Sequence, residues 1–510
     1  MSRRTLAAVA AGALAASLVA GTPAPADGRD DVVVIAVVDS SFSPYHLDFR
    51  ADRMPQHLDA DPSNDLPLGQ GGTTALAPHE WIPDFPDPSA AFAEYRGLDL
   101  TLPETGPISA PFNADIAQWN GVKRSTPEAV NFYWAPGTKA VGMVDFSNSG
   151  NGFRLPGGAS HGMGSASVSA GAIHGACPEC VVVFVPYGTG SNAESASNWV
   201  YSQPWIDVVT NSFGFSLLLR DRLYDGENAE QSKAASERGQ TIFFSAGNGQ
   251  ANTFTVPNTT IFSSQEGPDW MVTVGAIDPR SRGSYTGHGK PVDISSIGTG
   301  YPSAPSSGNT TVDGKGSFGG TSNATPVTAG SYARALWLVR SALSGGKQQS
   351  DGVIASGEPV ACDGCALEDG VLTQVELREA LFDTAEHTDV GYDPIGLVGG
   401  EPALPITDPE NEFITEGHGS LFGRVDGDEA WLQETGDTAA LVLGQREPTG
   451  LLDGEAEWFV VDSFCRQTIW GTWSGGHWSE GDPLPGPDPM WPLRTTLEQT
   501  CPFLTPIPGT

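Results

Sequence analysis

Apolar and polar residues follow two repeating patterns along the chain. Short apolar runs rich in β-branched residues, typical of strands buried on both faces, occupy residues 31–38, 139–146, 180–185, 206–215, 240–248 and 270–278. Helical patterns lie between or after these runs, at residues 193–201, 327–343 and 374–384. This alternation predicts the α/β fold class, with a mostly parallel sheet and right-handed crossovers.

Three segments interrupt the alternation. Residues 1–26 combine two arginines, an apolar centre and an Ala-Pro-Ala end, which predict a secretory signal peptide. We therefore expect a secreted (extracellular) protein, with no stable membrane anchor because no later run reaches about 18 apolar residues. Residues 51–140 are rich in Pro, Asp and Gly and predict a loop-rich insertion with little regular structure. Residues 433–510 predict a small Trp-rich β extension, which leaves residues 27–432 as the main domain.

The chain is strongly acidic, with a formal net charge of −35. This charge disfavours non-specific binding to nucleic acid or anionic lipid. Exposed carboxylates are also hard oxygen ligands, so structural calcium stands beside plain solubility as an explanation, with its ligands unknown. The 63 glycines and 40 prolines predict many shaped loops, because the apolar runs between them are too regular for disorder.

Six cysteines in a secreted chain predict three disulfides, and the sequence leaves their connectivity open. We expect pairing between neighbours in sequence: Cys177 with Cys180, Cys362 with Cys365, and Cys465 with Cys501. The alternative is zinc held by the two Cys-x-x-Cys pairs, but these pairs lie too far apart in sequence for a zinc ribbon.

Four polar residues stand where a predicted strand ends or a predicted helix begins. Asp39 and Asn248 close strands, at the edge where open α/β sheets place their sites. His161 opens a run of small residues that predicts a tightly packed helix. Ser322 precedes a long apolar helix, where unpaired N–H groups and the helix dipole suit a developing negative charge. Taken singly, Asp39, His161 and Ser322 are each better explained as a cap or a structural side chain.

The sequence around these four positions resembles the subtilisin-like serine protease (subtilase) family. Residues 320–326 match its Gly-Thr-Ser-x-Ala-x-Pro nucleophile motif, and residues 37–40 resemble its aspartate motif. Residues 161–171 run in register with its His-Gly-Thr-x-Val-Ala-Gly stretch. Residues 246–248 resemble its oxyanion segment, and residues 212–214 its Ser-Leu-Gly substrate strand.

The resemblance implies a subtilisin-like three-layer fold and a secreted serine endopeptidase that works through an acyl-enzyme intermediate. Ser322 would be the nucleophile, His161 the general base, and Asp39 the group that orients the imidazole. Asn248 would bind the oxyanion. Backbone pairing with an extended peptide would involve Ser212, Phe213 and Gly214. We expect protein or peptide substrates, no cofactor for the chemistry, and a monomer.

Several features depart from the family pattern. Met163 and Ser167 replace the usual Thr and Gly of the histidine motif, and Asn323 follows the nucleophile where the family often has Met. Residues 27–38 leave no room for an inhibitory propeptide domain before the strand-end aspartate. Asp145, also at a strand end, is a rival for the triad acid.

Two other functions are consistent with parts of the sequence. One is a weak or inactive subtilase-fold protein that serves in binding or adhesion through the C-terminal tryptophans. The retention of all four polar residues argues against it. The other is a serine peptidase that uses Glu and Asp at acid pH, which the presence of His161 and Asn248 argues against.

Overall fold

The computed structural model describes most of the first four-fifths of the chain and parts of the remainder. The described residues are 31–55, 66–69, 74–188, 190–213, 227–248, 270–277, 293–298, 301–307, 310–343, 351–362, 364–385, 420–421, 438–445, 457–461, 467–474 and 477–480. The predicted signal peptide, Gly214, Cys465 and Cys501 lie outside them.

A ten-stranded sheet runs through the described part of the chain, in the order β14-β9-β8-β7-β6-β1-β5-β4-β3-β2. Its neighbouring strands pair in parallel, except that β3 is antiparallel to β4. The strands are β1 (Val34–Asp39), β2 (Glu94–Gly97), β3 (Asn131–Trp134), β4 (Ala140–Met143), β5 (Val181–Pro186), β6 (Val208–Asn211), β7 (Thr241–Ser245), β8 (Met271–Ile277), β9 (Ile294–Ile297) and β14 (Ser420–Leu421).

Three smaller antiparallel sheets accompany it. Two are strand pairs: β10 (Tyr301–Ser303) with β11 (Gly316–Phe318), and β12 (Val353–Ser356) with β13 (Val371–Thr373). The third lies near the C-terminus and joins β15 (Glu457–Val461), β16 (Gln467–Ser474) and β17 (His477–Glu480).

Helices accompany the sheet, three of them short. These are α1 (Pro88–Ala91), α2 (Ser109–Ala114) and α3 (Ile116–Asn120). The longer helices are α4 (His161–Ala170), α5 (Gly190–Tyr201), α6 (Glu227–Glu237), α7 (Thr321–Ala342) and α8 (Gln374–Asp383). Single 3₁₀ turns occur at Leu47–Phe49, Ala51–Arg53 and Pro78–Glu80.

The sheet separates two hydrophobic cores, because successive residues of a strand point to opposite faces. On β1, Ile35 and Val37 pack in one core together with α4 and α7 residues such as Ala324. Val34 and Val38 pack in the other core, with Ala196 of α5. The side chains of β1 are all buried. The result is the three-layer α/β arrangement that the alternating strands and helices predict.

The structure corrects the expectation for residues 51–140. This segment contains three helices, and its strands β2 and β3 extend the main sheet at one edge. The reason lies in its scattered aromatic residues, which pack in the core instead of lying on exposed loops. Phe85 packs within about 6 Å of Phe132 and Trp205, and Trp119 is fully buried.

Two smaller differences concern the helices: one begins earlier than expected, and another stands within the predicted β extension. The helix expected over residues 327–343 begins earlier, at Thr321, and contains Pro326 as its sixth residue, where the proline lacks the N–H that would donate to the Ser322 carbonyl. Residues 439–443, an apolar run within the predicted β extension, lie mostly within a short helix over residues 438–442. Ala439 and Val442 pack in the main core, so an apolar run of five residues did not distinguish strand from helix.

Candidate active site

Three of the predicted site residues lie at one edge of the sheet. Asp39 is the last residue of β1, Ser212 follows β6, and Asn248 lies three residues beyond β7. These strands are parallel neighbours in the order β7-β6-β1, so their carboxyl ends share this edge. Open α/β sheets bind their ligands outside the carboxyl ends of the strands.

Two helices bring the other two residues to the same edge. His161 is the first residue of α4, and Ser322 is the second residue of α7. The helices pack side by side in the same direction, because Gly164 faces Phe318 just before α7 and Gly330 faces Ser169 near the end of α4. Their amino-terminal ends are therefore neighbours.

A short hydrogen bond joins Asp39 to His161. The imidazole Nδ1 lies 2.8 Å from Asp39 Oδ1 and 2.9 Å from Oδ2. The Asp39 side chain is 3% exposed, whereas the His161 side chain is 42% exposed. A buried carboxylate thus binds Nδ1 of an imidazole that is itself partly exposed.

The protonated form of His161 is stabilised by this partner. Burial lowers the pKa of His161, but the charge of Asp39 and its hydrogen bond raise it by more. The net result is a pKa above the ordinary value of 6.5. The imidazole is therefore suited to hold a proton that it has just accepted.

Asn248 contacts the residue before Ser322. Its side-chain Oδ1 accepts hydrogen bonds from the Thr321 backbone N–H at 2.8 Å and from the Thr321 hydroxyl at 3.0 Å. Gly320 is the N-cap of α7 with φ of 83°, and a Cβ there would lie 2.9 Å from Asn248 Nδ2. The Asn248 amide therefore lies against residues 320 and 321, and its N–H₂ group takes no part in the two bonds from Thr321.

Ser322 lies in the first turn of α7, where backbone N–H groups have no partner within the helix. It is largely buried, with 8% of its surface exposed. Its carbonyl oxygen accepts a hydrogen bond of 2.9 Å from the Ser212 hydroxyl, which ties β6 to the start of α7. A small anion next to Ser322 would meet both backbone and side-chain donors.

The predicted substrate segment, residues 212–214, is described as far as Phe213. The Phe213 ring stacks edge-on against Tyr187 with centroids 4.7 Å apart, beside the strand end that holds Asp39. The Tyr187 N–H donates to the Asp39 carbonyl at 2.9 Å. Burial and then the charge of Asp39 raise the pKa of Tyr187, so that its phenol is neutral near neutral pH.

A buried carboxylate anchors the far end of α4. Asp48 accepts hydrogen bonds from the Ser167 hydroxyl at 2.5 Å, His174 Nδ1 at 2.8 Å, and the N–H groups of Ile173 and His174 at 3.0 and 3.1 Å. The buried ammonium of Lys139 donates to the Ala170 carbonyl at the helix end. These contacts fix the helix whose first residue is His161.

Asp145, the rival acid, has other partners. Its Oδ1 accepts from the Ser147 N–H at 2.7 Å and its Oδ2 from the Gly152 N–H at 2.9 Å. Burial raises the pKa of Asp145 despite these bonds. Its carboxylate thus holds the loop 147–152 in shape, while Asp39 is the carboxylate that meets His161.

Two further predictions concern the pairing of the cysteines and the alternative of bound calcium. Cys177 lies beside Cys180 and Cys362 beside Cys365, with Cα atoms 5.4 and 5.8 Å apart. Within the described ranges, no group of three or more His, Cys, Asp or Glu side chains could hold a metal ion. None of the helices in those ranges is both long and apolar enough to cross a membrane.

The sequence analysis missed three residues that contact the predicted site or its supports. Ser165 donates its hydroxyl to Asp39, Thr321 binds Asn248, and Asp48 anchors α4. Ser165 had a usable signal, since it lies four residues after His161 and thus on the same face of the helix. Asp48 had none, because the groups that donate hydrogen bonds to its carboxylate lie more than a hundred positions away.

The chain matches a known protein family and is similar to solved structures. The profile of the subtilase family matches residues 30–389 of the 510. Among solved structures, the chain is similar to the crystal structure of a cold adapted subtilisin-like serine proteinase, at 17% identity and a TM-score of 0.31. That match covers 63% of this chain and 85% of the other. No curated protein sequence matches the chain.

Proposed function

The chain is a serine endopeptidase of the subtilase family, and on this premise we propose that Asp39, His161 and Ser322 form its catalytic triad. The observation that carries the proposal is the 2.8 Å contact between His161 Nδ1 and the buried Asp39 carboxylate. It is supported by the side-by-side packing of the two helices that begin at His161 and Thr321.

In the first half of the reaction, Ser322 Oγ attacks the scissile carbonyl while His161 Nε2 accepts the hydroxyl proton. Asp39 holds the imidazole in the tautomer that carries its hydrogen on Nδ1, and it stabilises the imidazolium without taking the proton. The C–N bond then breaks, and His161 returns its proton to the leaving amine. Ser322 is left as an acyl ester.

In the second half, His161 Nε2 removes a proton from a water molecule, which attacks the ester carbonyl. The C–O bond to Ser322 breaks, and the proton returns to the serine oxygen. In both halves the carbonyl oxygen becomes negative. The Ser322 backbone N–H and the Asn248 amide N–H₂ group would donate to that oxyanion.

Peptides and proteins are the substrates that a peptidase implies. We propose that an extended chain pairs with the backbone at Ser212, Phe213 and Gly214, which would make recognition tolerant of sequence. No cofactor takes part in this chemistry. The alternative of a binding protein without activity is not favoured, since the polar residues that a peptidase needs are all present.

Export and covalent stabilisation are further parts of the proposal. We propose that residues 1–26 direct secretion and that the mature enzyme is a monomer with 27–432 as its peptidase domain and 433–510 as an extension. Disulfides Cys177–Cys180 and Cys362–Cys365 are supported by Cα separations of 5.4 and 5.8 Å, within the usual range. Structural calcium is retained as a proposal, as is the pairing of Cys465 with Cys501.

The central test uses the full-length mature protein and its Ser322→Ala variant. Both are incubated with an unfolded protein substrate and with a serine-directed fluorophosphonate. We expect cleavage and a single label on Ser322 in the wild type, and neither in the variant. Ser331→Ala is the matched control, because it removes another buried hydroxyl of α7. Folded wild-type protein that neither cleaves nor takes the label across pH and calcium concentration would overturn the proposal.

A further inference from the structure

A buried serine on α4 contacts the carboxylate of the proposed triad. Ser165 lies one helical turn after His161 and is fully buried. Its hydroxyl donates to Asp39 Oδ2 at 2.6 Å. Hydrogen bonds from a hydroxyl to a carboxylate at this distance belong to the strong, charge-assisted class.

The Ser165 hydroxyl donates to a group outside its helix, as the Ser167 hydroxyl does to Asp48. Buried hydroxyls inside a helix commonly donate to a carbonyl of the preceding turn. Ser169, one turn further along α4, does so, since its hydroxyl donates to the Ser165 carbonyl at 3.0 Å. Thr325 and Thr328 of α7 do the same. Ser165 instead reaches out of its helix to the end of β1.

This hydroxyl shares Asp39 with the imidazole. Asp39 Oδ1 accepts from the Ser40 N–H at 2.6 Å and lies 2.8 Å from His161 Nδ1. Asp39 Oδ2 accepts from Ser165 and lies 2.9 Å from the same nitrogen. A hydroxyl that donates to the carboxylate fixes the rotation of the carboxylate group. It also stabilises the negative charge and so weakens the attraction between Asp39 and the imidazolium.

We propose that Ser165 is a positioning residue whose hydroxyl holds the Asp39 carboxylate and limits how strongly it attracts the protonated His161 ring. The proposal rests on the catalytic roles proposed above. It adds a group that sets the pH at which the general base becomes available. Without the hydroxyl, Asp39 would attract the imidazolium more strongly, and His161 would stay protonated, and inactive as a base, to higher pH.

Few other groups act on this pair in the described part of the chain. From the end of β5, the phenol of Tyr187 faces Asp39 and is neutral near neutral pH. From the strand before α7, the Phe318 ring stands edge-on to His161 with centroids 5.0 Å apart and carries no charge. A substitution at Ser165 should therefore change the midpoint of the His161 titration without interference from these groups.

The decisive measurement is an NMR titration of the His161 ring in the full-length Ser322→Ala protein, with and without Ser165→Ala. The Ser322→Ala background prevents self-digestion, and the titration can be measured in a protein without activity. We expect Ser165→Ala to raise the midpoint of the titration by about 0.5 pH unit. The matched control is Ser169→Ala, which removes a buried hydroxyl from the same helix without touching Asp39 and should leave the midpoint unchanged.

In the active enzyme, Ser165→Ala should shift the acid limb of kcat/KM upward by the same amount. An unchanged or lowered midpoint, or an equal shift in Ser169→Ala, would overturn the role of Ser165. Should the alanine variant not fold, Ser165→Cys keeps the size with a weaker donor and should give a smaller shift in the same direction. A wild type without activity would refute the proposed function, while the NMR titration would still decide on Ser165.

Discussion

Thr321 donates both its backbone N–H and its hydroxyl to the side-chain oxygen of Asn248. Because only the carbonyl oxygen of an amide can accept both bonds, this contact fixes which end of the Asn248 side chain faces α7. The N–H₂ group is thereby left to donate elsewhere. The residue before the proposed nucleophile thus orients the donor proposed for the oxyanion.

Replacement of Asn248 by Ala should lower kcat by about 10²–10³ with little change in KM, because the amide would meet the substrate oxygen only once it becomes negative. Steady-state kinetics on a peptide substrate measures both constants. Asn113→Ala, at an exposed position, is the control. A loss of less than about tenfold would argue against Asn248 as the oxyanion donor.

Gly320→Ala should damage the site more than the fold. The new Cβ would lie 2.9 Å from Asn248 Nδ2, in a backbone with φ of 83° and ψ of 179° that is almost confined to glycine, so both displacement of the amide and strain of about 1–3 kcal/mol are expected. We predict a fall in kcat of about tenfold or more. The control is Gly364→Ala, which also places a side chain at a positive φ, of 73°, with nothing within 4 Å of the new Cβ. It should lower the unfolding free energy similarly and leave kcat unchanged; equal kcat values for the two variants would contradict the prediction.

The pH profile should reflect the charge of Asp39. Since the general base must be neutral and the pKa of His161 is raised, kcat/KM should rise with pH through a midpoint above 6.5. Asp39→Asn removes the charge and the correct tautomer, so we expect a lower midpoint and a kcat reduced by about 10⁴. An acid limb at or below pH 6.5 in the wild type would show that Asp39 does not stabilise the imidazolium.

Asp48→Asn should destabilise the fold. Burial raises the pKa of Asp48, but the bonds from His174 and Ser167 and the nearby imidazoles lower it by more, to well below its ordinary value of 3.8. A depressed pKa adds stability above about pH 4 that is lost as the pH falls towards the folded-state pKa. We expect the free energy of unfolding to fall by about 3–5 kcal/mol at pH 7, measured in urea.

The same measurement on Asp313→Asn provides the control. Asp313 is exposed and faces the same cluster through His46, so its loss should leave the free energy of unfolding nearly unchanged. Wild-type stability should decline with acid below pH 4, and the decline should be weaker in Asp48→Asn. Equal acid sensitivity of the two proteins would mean that Asp48 is not the group responsible.

A buried ion pair gives a further test of the core. Arg340 Nη2 lies 2.8 Å from Asp207 Oδ1, and both side chains are almost fully buried. Arg340→Met would leave the Asp207 charge unpaired and should cost about 3–5 kcal/mol of unfolding free energy. Adding Asp207→Leu should restore part of this loss. The exposed Arg53–Glu104 pair is the control, with an expected cost of about 1 kcal/mol or less for Arg53→Met. A double variant less stable than Arg340→Met alone would contradict the prediction.

The strands and long helices could be predicted because burial leaves a local signature. The run 31–38 is apolar at nearly every position, and the structure places it between two cores. The candidate site could be predicted because its residues stand at element ends, within short motifs. Asp39 and Ser322 each have their strand or helix next to them in sequence.

Contacts between distant segments could not be predicted in this way. Asp48 and Ser167 are 119 positions apart, and nothing local to either residue indicates the other. The region 51–140 was misread for a related reason. Its strands are four residues long, and its aromatic residues acquire partners such as Trp205 only once the sheet has formed.

The placement of β2 and β3 limits how the enzyme could be shortened. Both strands lie outside β4 in the main sheet, so β4 is an interior strand. Excising residues 51–140 would turn β4 into an edge, with backbone groups open to pairing with a second molecule. The insertion is therefore not a detachable module, and a minimal version of this enzyme would need a newly designed protected edge.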